Sequence, residues 1–331
     1  MNVDQNVFWR KESDPENSLE FIILGYCDAA NSEKNLEAWI TPSHGSNLCR
    51  FSVGGKNVID FERELWAESE YTGTPVLYPT PNKVRNGVFR YQGKNYAQVK
   101  RGKTICEHGL VHDEPWEYQD PVMDGDSIRL NTWIDFDASS PFFQAFPFKH
   151  RLCLEFCLSG TGIKVSYTIE NRDNQAIPFG FGLHPYFMKL SGDERTYVKV
   201  PADYVMDYTS DLLPTGKLVD VSGTCFNLQE KVNIGALDFD HVFTGSKEGK
   251  YAEVEFASLG LSIRMVCTED FSHLVLYSPR EAGYFCLENQ TCSTDAHNLY
   301  DRGFKTQSGL RFVPPGKTHT GSVTYSVIQG R

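Results

Sequence analysis

Alternation of apolar and polar residues at every second position is the feature that most limits how this chain can fold. From Arg151 to Leu158, the side chains of Leu152, Leu154, Phe156 and Leu158 fall on one face of an extended segment. After Ser159-Gly160-Thr161-Gly162 the pattern resumes with Ile163, Val165, Tyr167 and Ile169, while Lys164, Ser166, Thr168 and Glu170 point the other way. Two amphipathic strands joined by a four-residue loop containing glycine predict a hairpin. Ser127–Phe136, Tyr251–Ala257, Leu261–Val266, Leu274–Ser278 and Gly321–Ile328 read the same way. Turn formers such as Gly54-Gly55, Pro81-Asn82, Asp124-Gly125 and Pro314-Pro315-Gly316 separate them. A helical period is nowhere sustained beyond about three turns, and Asp60–Glu70 is the best helix candidate. No linker-like stretch or shift of composition divides the chain. The expectation is therefore all-β: a large antiparallel β-sandwich, with residues 1–331 as a single domain and residues 1–20 as a peripheral N-terminal segment.

Charge and cysteine usage narrow the partners. Lys and Arg number 32 against 43 Asp and Glu, a net charge of −11, and no basic block of five or more occurs. Phosphate backbones and anionic membranes call for concentrated positive charge, so nucleic-acid and membrane partners are disfavoured and a neutral small molecule fits better. The N-terminus lacks the basic-then-apolar order of a secretory signal, and its longest apolar run, residues 21–25, is too short to cross a bilayer. Nine cysteines without CxxC spacing read as reduced thiols of a cytoplasmic protein. Cys153 and Cys157 read as buried hydrophobes, and the Asn289-Gln290-Thr291 sequon as chance.

The anchors of mononucleotide, dinucleotide and α/β-hydrolase sites (GxxxxGK[ST], GxGxxG, GxSxG) are missing. His108 and His112 have the i, i+4 spacing of metal ligands. Gly109 argues against the helix that makes such a pair converge, and no third ligand stands out, so no metal site is expected. Three other segments set titratable residues among aromatics and glycines: Pro178 to Phe187, containing His184-Pro185-Tyr186; Phe239-Asp240-His241-Val242-Phe243; and Tyr284 to Thr291, containing Glu288. A lone histidine such as His184 is commonly a hydrogen-bonded structural residue, and Asp240 suits a turn cap equally well. Glu288 is harder to explain structurally, because burying a carboxylate after Phe-Cys-Leu is costly unless it is paired or used.

Taken in order, these segments resemble the aldose 1-epimerase (galactose mutarotase) family over about residues 36–328. The resemblance rests on Pro79-Thr80-Pro81-Asn82-Lys83-Val84-Arg85-Asn86-Gly87, Glu107-His108-Gly109-Leu110 with Trp116 beyond, His184–Phe187, Phe239–Phe243 and Cys286–Thr291. It implies a galactose mutarotase-like sandwich that interconverts the α and β anomers of a free aldohexose. His184 would be the general acid and Glu288 the general base, with no metal and no cofactor. His108, Asp240, Asn82, Lys83 and Tyr186 would contact sugar, while Trp116 and Phe187 are either cleft or core. A pair in which Glu288 is ionised and His184 protonated is expected. Lys83 stands where the family has arginine, and Arg85, two residues on in an extended strand, is the alternative source of a guanidinium. Asn289 replaces a proline, and Val275 a glutamine that touches sugar in some members. A hexose-6-phosphate 1-epimerase and a non-catalytic sugar-binding protein are the alternatives. A monomer or weak homodimer is expected.

Overall fold

The computed structural model describes residues 6–14, 19–61, 66, 71–246, 249 and 251–330. The strands form two large antiparallel sheets, with three two-stranded pairs beside them among the described residues. The larger, of 13 strands among the described residues, runs in the order Val7–Ser13, Glu20–Tyr26, Leu36–Thr41, Asn47–Val53, Lys56–Ile59, Tyr186–Met188, Tyr284–Gln290, His273–Tyr277, Asp240–Thr244, Tyr204–Tyr208 and Pro214–Asp220, with Val76–Leu77 and Gly182–Leu183 attached beside Tyr284–Gln290. The smaller, of 10 strands, is built around Ser127–Phe136, His150–Ser159, Gly162–Asn171, Thr318–Gln329, Leu261–Cys267 and Ala252–Phe256. Residues 7–13, expected to be peripheral, pair with Glu20–Tyr26 and so form an edge of the larger sheet.

The alternation read from sequence is what holds the sheets together. Leu152, Leu154, Phe156 and Leu158 are all buried, as are Ile163, Val165, Tyr167 and Ile169 on the neighbouring strand. They meet Ile22, Leu24, Phe51, Phe187 and Leu287 of the larger sheet in one continuous core. A period of two serves each strand because one face must leave water and the other stays in it. The same phase corrects the reading of Cys153 and Cys157. They share a face with Arg151 and Glu155 and are half-buried, not buried. All nine cysteines are free thiols.

The hairpin loop is shorter than predicted. Ser159 pairs directly with Gly162, leaving Gly160 and Thr161 as a two-residue turn. Gly162 allows this by taking φ of 137°, with its α-carbon so close to the Tyr325 carbonyl that no side chain would fit. The helix expected over Asp60–Glu70 falls on residues 62–65 and 67–70, outside the described residues, and Trp66 alone of its interior is described. Two short helices, Ala296–Asp301 and Lys305–Ser308, went unpredicted. Among the described residues no helix is long and apolar enough to cross a membrane.

Candidate active site

Four neighbouring strands of the larger sheet build the floor of a cavity. Tyr284–Gln290 lies between His273–Tyr277 on one side and the interrupted pair Gly182–Leu183 and Tyr186–Met188 on the other. Leu183 pairs with Asn289 and Tyr186 with Cys286, so the same register carried across the gap sets His184 opposite Glu288. Directly opposed residues present their side chains on one face. Pro185 has no N–H to give the ladder, and the His184 N–H instead donates to the Pro75 carbonyl at 3.2 Å. Two rows of side chains therefore cross the sheet: Asp240, Tyr277, Cys286 and Tyr186 in one, Val242, Val275, Glu288 and His184 in the other. The Val275 that replaces a family glutamine sits beside Glu288 and packs into an apolar cluster with Met206, Val242 and Leu299.

The cavity is about 310 Å³ and is lined by Tyr71, Asn82, Lys83, Glu107, His108, His184, Tyr186, Asp240, Tyr277 and Glu288. Seven of the eight residues singled out by sequence are thus brought together. His184 Nε2 lies 3.2 Å from Glu288 Oε1. The His184 ring stacks on Tyr186 and meets His108 edge-on, with centroid distances of 5.0 and 5.1 Å. Lys83 Nζ lies 3.8 Å from Glu107 and 4.0 Å from Asp240. Asn82 accepts the Lys83 N–H on its own side-chain oxygen at 2.7 Å, which fixes the turn in which Asn82 has φ of 58°.

Arg85 is the exception. Val84 is extended, but Arg85 begins a tight turn in which Asn86 has φ of 55°, so the alternation that would bring residues 83 and 85 to one side ends there. The Arg85 guanidinium is half exposed and faces Asp295 at 3.9 Å, away from the cavity lining. Trp116 and Phe187 are core residues. Tyr71, Glu107 and Tyr277 line the cavity without having been given a role from sequence. Tyr277 was within reach of that reading, since it shares a face with Val275 in a predicted strand. Tyr71 directly follows the helix candidate Asp60–Glu70, in which no site residue was read.

His108 reaches the cavity through a close backbone approach. The Leu110 N–H donates to the Tyr78 carbonyl at 2.8 Å, and Gly109, at φ of 79°, passes so near that a β-carbon would lie 2.2 Å from the same oxygen. The buried ammonium of Lys100 donates to the Leu110 carbonyl at 3.0 Å and pairs with Glu114 at 3.1 Å, pinning the far end of this loop. A Gly109→Ala variant is expected to lose about 1–3 kcal/mol of stability, because a backbone oxygen cannot be moved aside cheaply. It should also displace His108. Urea melts and ligand titrations check both effects, and an unperturbed melt would contradict the close approach.

Burial dominates the electrostatics. It holds His184 down to about 4 and His108 well below its ordinary range. Burial also pushes the Glu288 carboxyl well above the usual carboxylate range, opposed first by a hydrogen bond from Gln290 and reinforced by the nearby Asp240 charge. Burial thus disfavours charge on both members of the pair, against the ionised Glu288 and protonated His184 expected from sequence. One proton passed between groups 3.2 Å apart converts the neutral pair into the charged one. Among the described residues no group of three or more His, Cys, Asp or Glu side chains converges as a metal site. Asn289 is buried within its strand, so its sequon is closed to solvent.

A model of the family described as aldose 1-epimerase matches residues 31–326. The chain is 24% identical over 247 residues to the uncharacterised protein YihR of Escherichia coli, covering 74% of this chain and 75% of that protein. It is 26% identical over 249 residues to human galactose mutarotase, covering 65% and 69% of the two. Among solved structures, a galactose mutarotase-like protein from Clostridium acetobutylicum matches with a TM-score of 0.83 over 99% of this chain and 100% of that one, at 19% identity. Galactose 1-epimerase from Lactobacillus acidophilus matches with a TM-score of 0.74 over 98% and 99%, at 16% identity. At such identities the structural likeness speaks to the fold, and the fold is the large antiparallel sandwich that the alternation predicted.

Proposed function

The chain belongs to the aldose 1-epimerase family, and from that premise we propose that it equilibrates the α and β anomers of a free aldohexose by acid/base ring opening and reclosure. The reading rests above all on the opposition of His184 and Glu288, 3.2 Å apart at the floor of a cavity of sugar size. Opening a pyranose takes a proton from the anomeric O1 and adds one to the ring oxygen, so a base and an acid must reach two oxygens bonded to one carbon. Glu288, having passed its proton to His184, accepts the O1 proton. The O1–H electron pair becomes the C1=O1 π bond, the C1–O5 bond breaks, and the imidazolium of His184 protonates O5. After rotation about C1–C2, His184 takes the O5 proton back as O5 closes on the other face of C1, and Glu288 returns a proton to O1. Only protons move, so the scheme calls on no metal or cofactor. His108, Asp240, Asn82 and Lys83 supply hydrogen bonds to sugar hydroxyls, and the Tyr186 ring offers an apolar wall.

A phosphorylated hexose suits the cavity less well. Among its described lining residues the one Lys or Arg is Lys83, and two carboxylates already flank it. The direct test is polarimetry or proton NMR of freshly dissolved α-D-glucose, α-D-galactose and glucose 6-phosphate. Acceleration with the free sugars supports the reading. Preference for the phosphate, or no acceleration at all, rejects it.

The working form of the pair carries a single proton. Loss of that proton from Glu288, whose affinity for it is raised by burial, is expected to give an alkaline limb in the pH profile of kcat. Activity should fall once the carboxyl ionises and His184 is left neutral. Turnover undiminished up to the limit of protein stability would remove His184 as the acid.

A further inference from the structure

We infer that Gln290 is a positioning residue for the reaction, holding the Glu288 carboxylate in place opposite His184 and stabilising its ionised form. The inference rests on the proposed acid/base pair and adds a residue to its machinery. Gln290 is wholly buried and lies two positions beyond Glu288, hence on the same face of the strand. Its Nε2 donates to Glu288 Oε2 at 2.8 Å, while Oε1 of that carboxyl faces His184. One carboxylate oxygen is thereby anchored and the other left for proton transfer. The other end of the Gln290 amide, Oε1, is buried with no hydrogen-bond partner among the described residues. A buried orphan oxygen is costly, and an apolar side chain of the same length would escape that cost. The amide's hydrogen-bonding is therefore spent on Glu288.

Other groups act on Glu288 from several elements. Asp240 and Glu107 disfavour its charge, and Lys83 favours it less than Gln290 does. His184 and Tyr186 face it from one neighbouring strand, and Tyr277 lies on the other. Tyr208 and Cys286 also sense it. His273, paired directly with Gln290, is itself held neutral by burial, and its ring nitrogens bond to Ser272 and to the Gln307 carbonyl instead of the Gln290 side chain. Of the favourable influences on the carboxylate, the Gln290 bond is the largest. It is a neutral donor, so it supports the charge without competing with His184 for a proton.

Substitution of Gln290 by Met keeps length and removes the donor. The expected results are an alkaline limb moved upward by roughly 1–2 pH units and a kcat lowered about 10- to 100-fold, because less of the pair occupies its charged form. KM should change little. An unshifted limb, or a loss confined to KM, overturns the inference. Glu288 titration can also be followed by NMR with side-chain carboxyl-labelled glutamate, assigned through Glu288→Gln, which needs no turnover. If wild type fails to equilibrate any aldose while Glu288 still titrates higher in Gln290→Met, the functional reading falls and the positioning role stands. If the enzyme is active but its Glu288 titration ignores the substitution, the functional reading stands and the positioning role falls. Should Gln290→Met fail to fold, the side-chain amide resonances of Gln290 in wild type take its place. They should shift with the Glu288 titration, and resonances that stay fixed through it reject the role.

Discussion

Replacing Glu288 with Gln is expected to abolish anomer equilibration while leaving sugar affinity within a few-fold of wild type. The substitution keeps the shape of the side chain and its neighbours but removes the oxygen that takes the O1 proton. Proton-transfer groups of this kind contribute on the order of 10²–10⁴ in rate, and among the described residues no other carboxyl faces His184 as Glu288 does, at 3.2 Å. Sugar contacts proposed for Asp240, His108, Asn82 and Lys83 are untouched, so the loss should appear in kcat and not in KM. The fold should not suffer. Burial already favours the protonated, uncharged carboxyl of Glu288, so a neutral amide imposes no new desolvation cost. Polarimetry with α-D-glucose gives the rate and calorimetric titration gives the affinity. A glutamine variant that equilibrates anomers at the wild-type rate would show that the base lies elsewhere.

Acidification is expected to unfold the protein between about pH 6 and pH 4, before most of its carboxylates are protonated. Burial holds His112, His184, His273 and His297 down to about 4 and His150 to about 3, and it depresses His108 as well. His150 shows how the fold commits to the neutral ring. Its Nδ1 lies 2.7 Å from the Phe148 carbonyl, which can only accept, so Nε2 is left to accept from the Tyr78 hydroxyl at 2.7 Å. Each of these groups is depressed in the fold, so below the ordinary histidine range of about 6.5 the unfolded chain binds protons that the folded chain refuses. Stability must then fall as pH falls through that window. The ceiling is about 1.4 kcal/mol per pH unit for each histidine, and several acting together exhaust a typical folding free energy of about 5–15 kcal/mol. Glu288 and Asp295 act in the opposite sense, because burial raises both and the fold gains from their protonation. Two carboxyls do not offset six imidazoles. Thermal melts from pH 7.5 to 4.5 should show a midpoint dropping steeply below pH 6, and a midpoint constant over that span would contradict the burial of neutral histidines.

Where apolar and polar residues alternate, strand positions and inward faces were legible because both depend on neighbours within a few residues. Leu152 to Leu158 and Ile163 to Ile169 announce their buried face by spacing alone. Glu288 announced itself by the improbability of a carboxylate after three apolar residues, and His184, Asp240, His108, Asn82, Lys83 and Tyr186 by the order of motifs resembling a family. All seven line one cavity. Arg85 misled because the rule of two holds only while the backbone stays extended, and a turn begins at that residue.

The order of residues along the chain thus specifies short amphipathic strands and a set of chemically capable side chains scattered among them. It leaves open which of those side chains meet. Strand register answers that question for the acid/base pair, placing His184 across from Glu288. Burial then disfavours charge on both members of that pair, against the ionised pair expected from sequence. Periodicity is a local property of the backbone and can be read a few residues at a time. Cross-strand register, and the loss of water around a charge, are sums over segments distant in sequence.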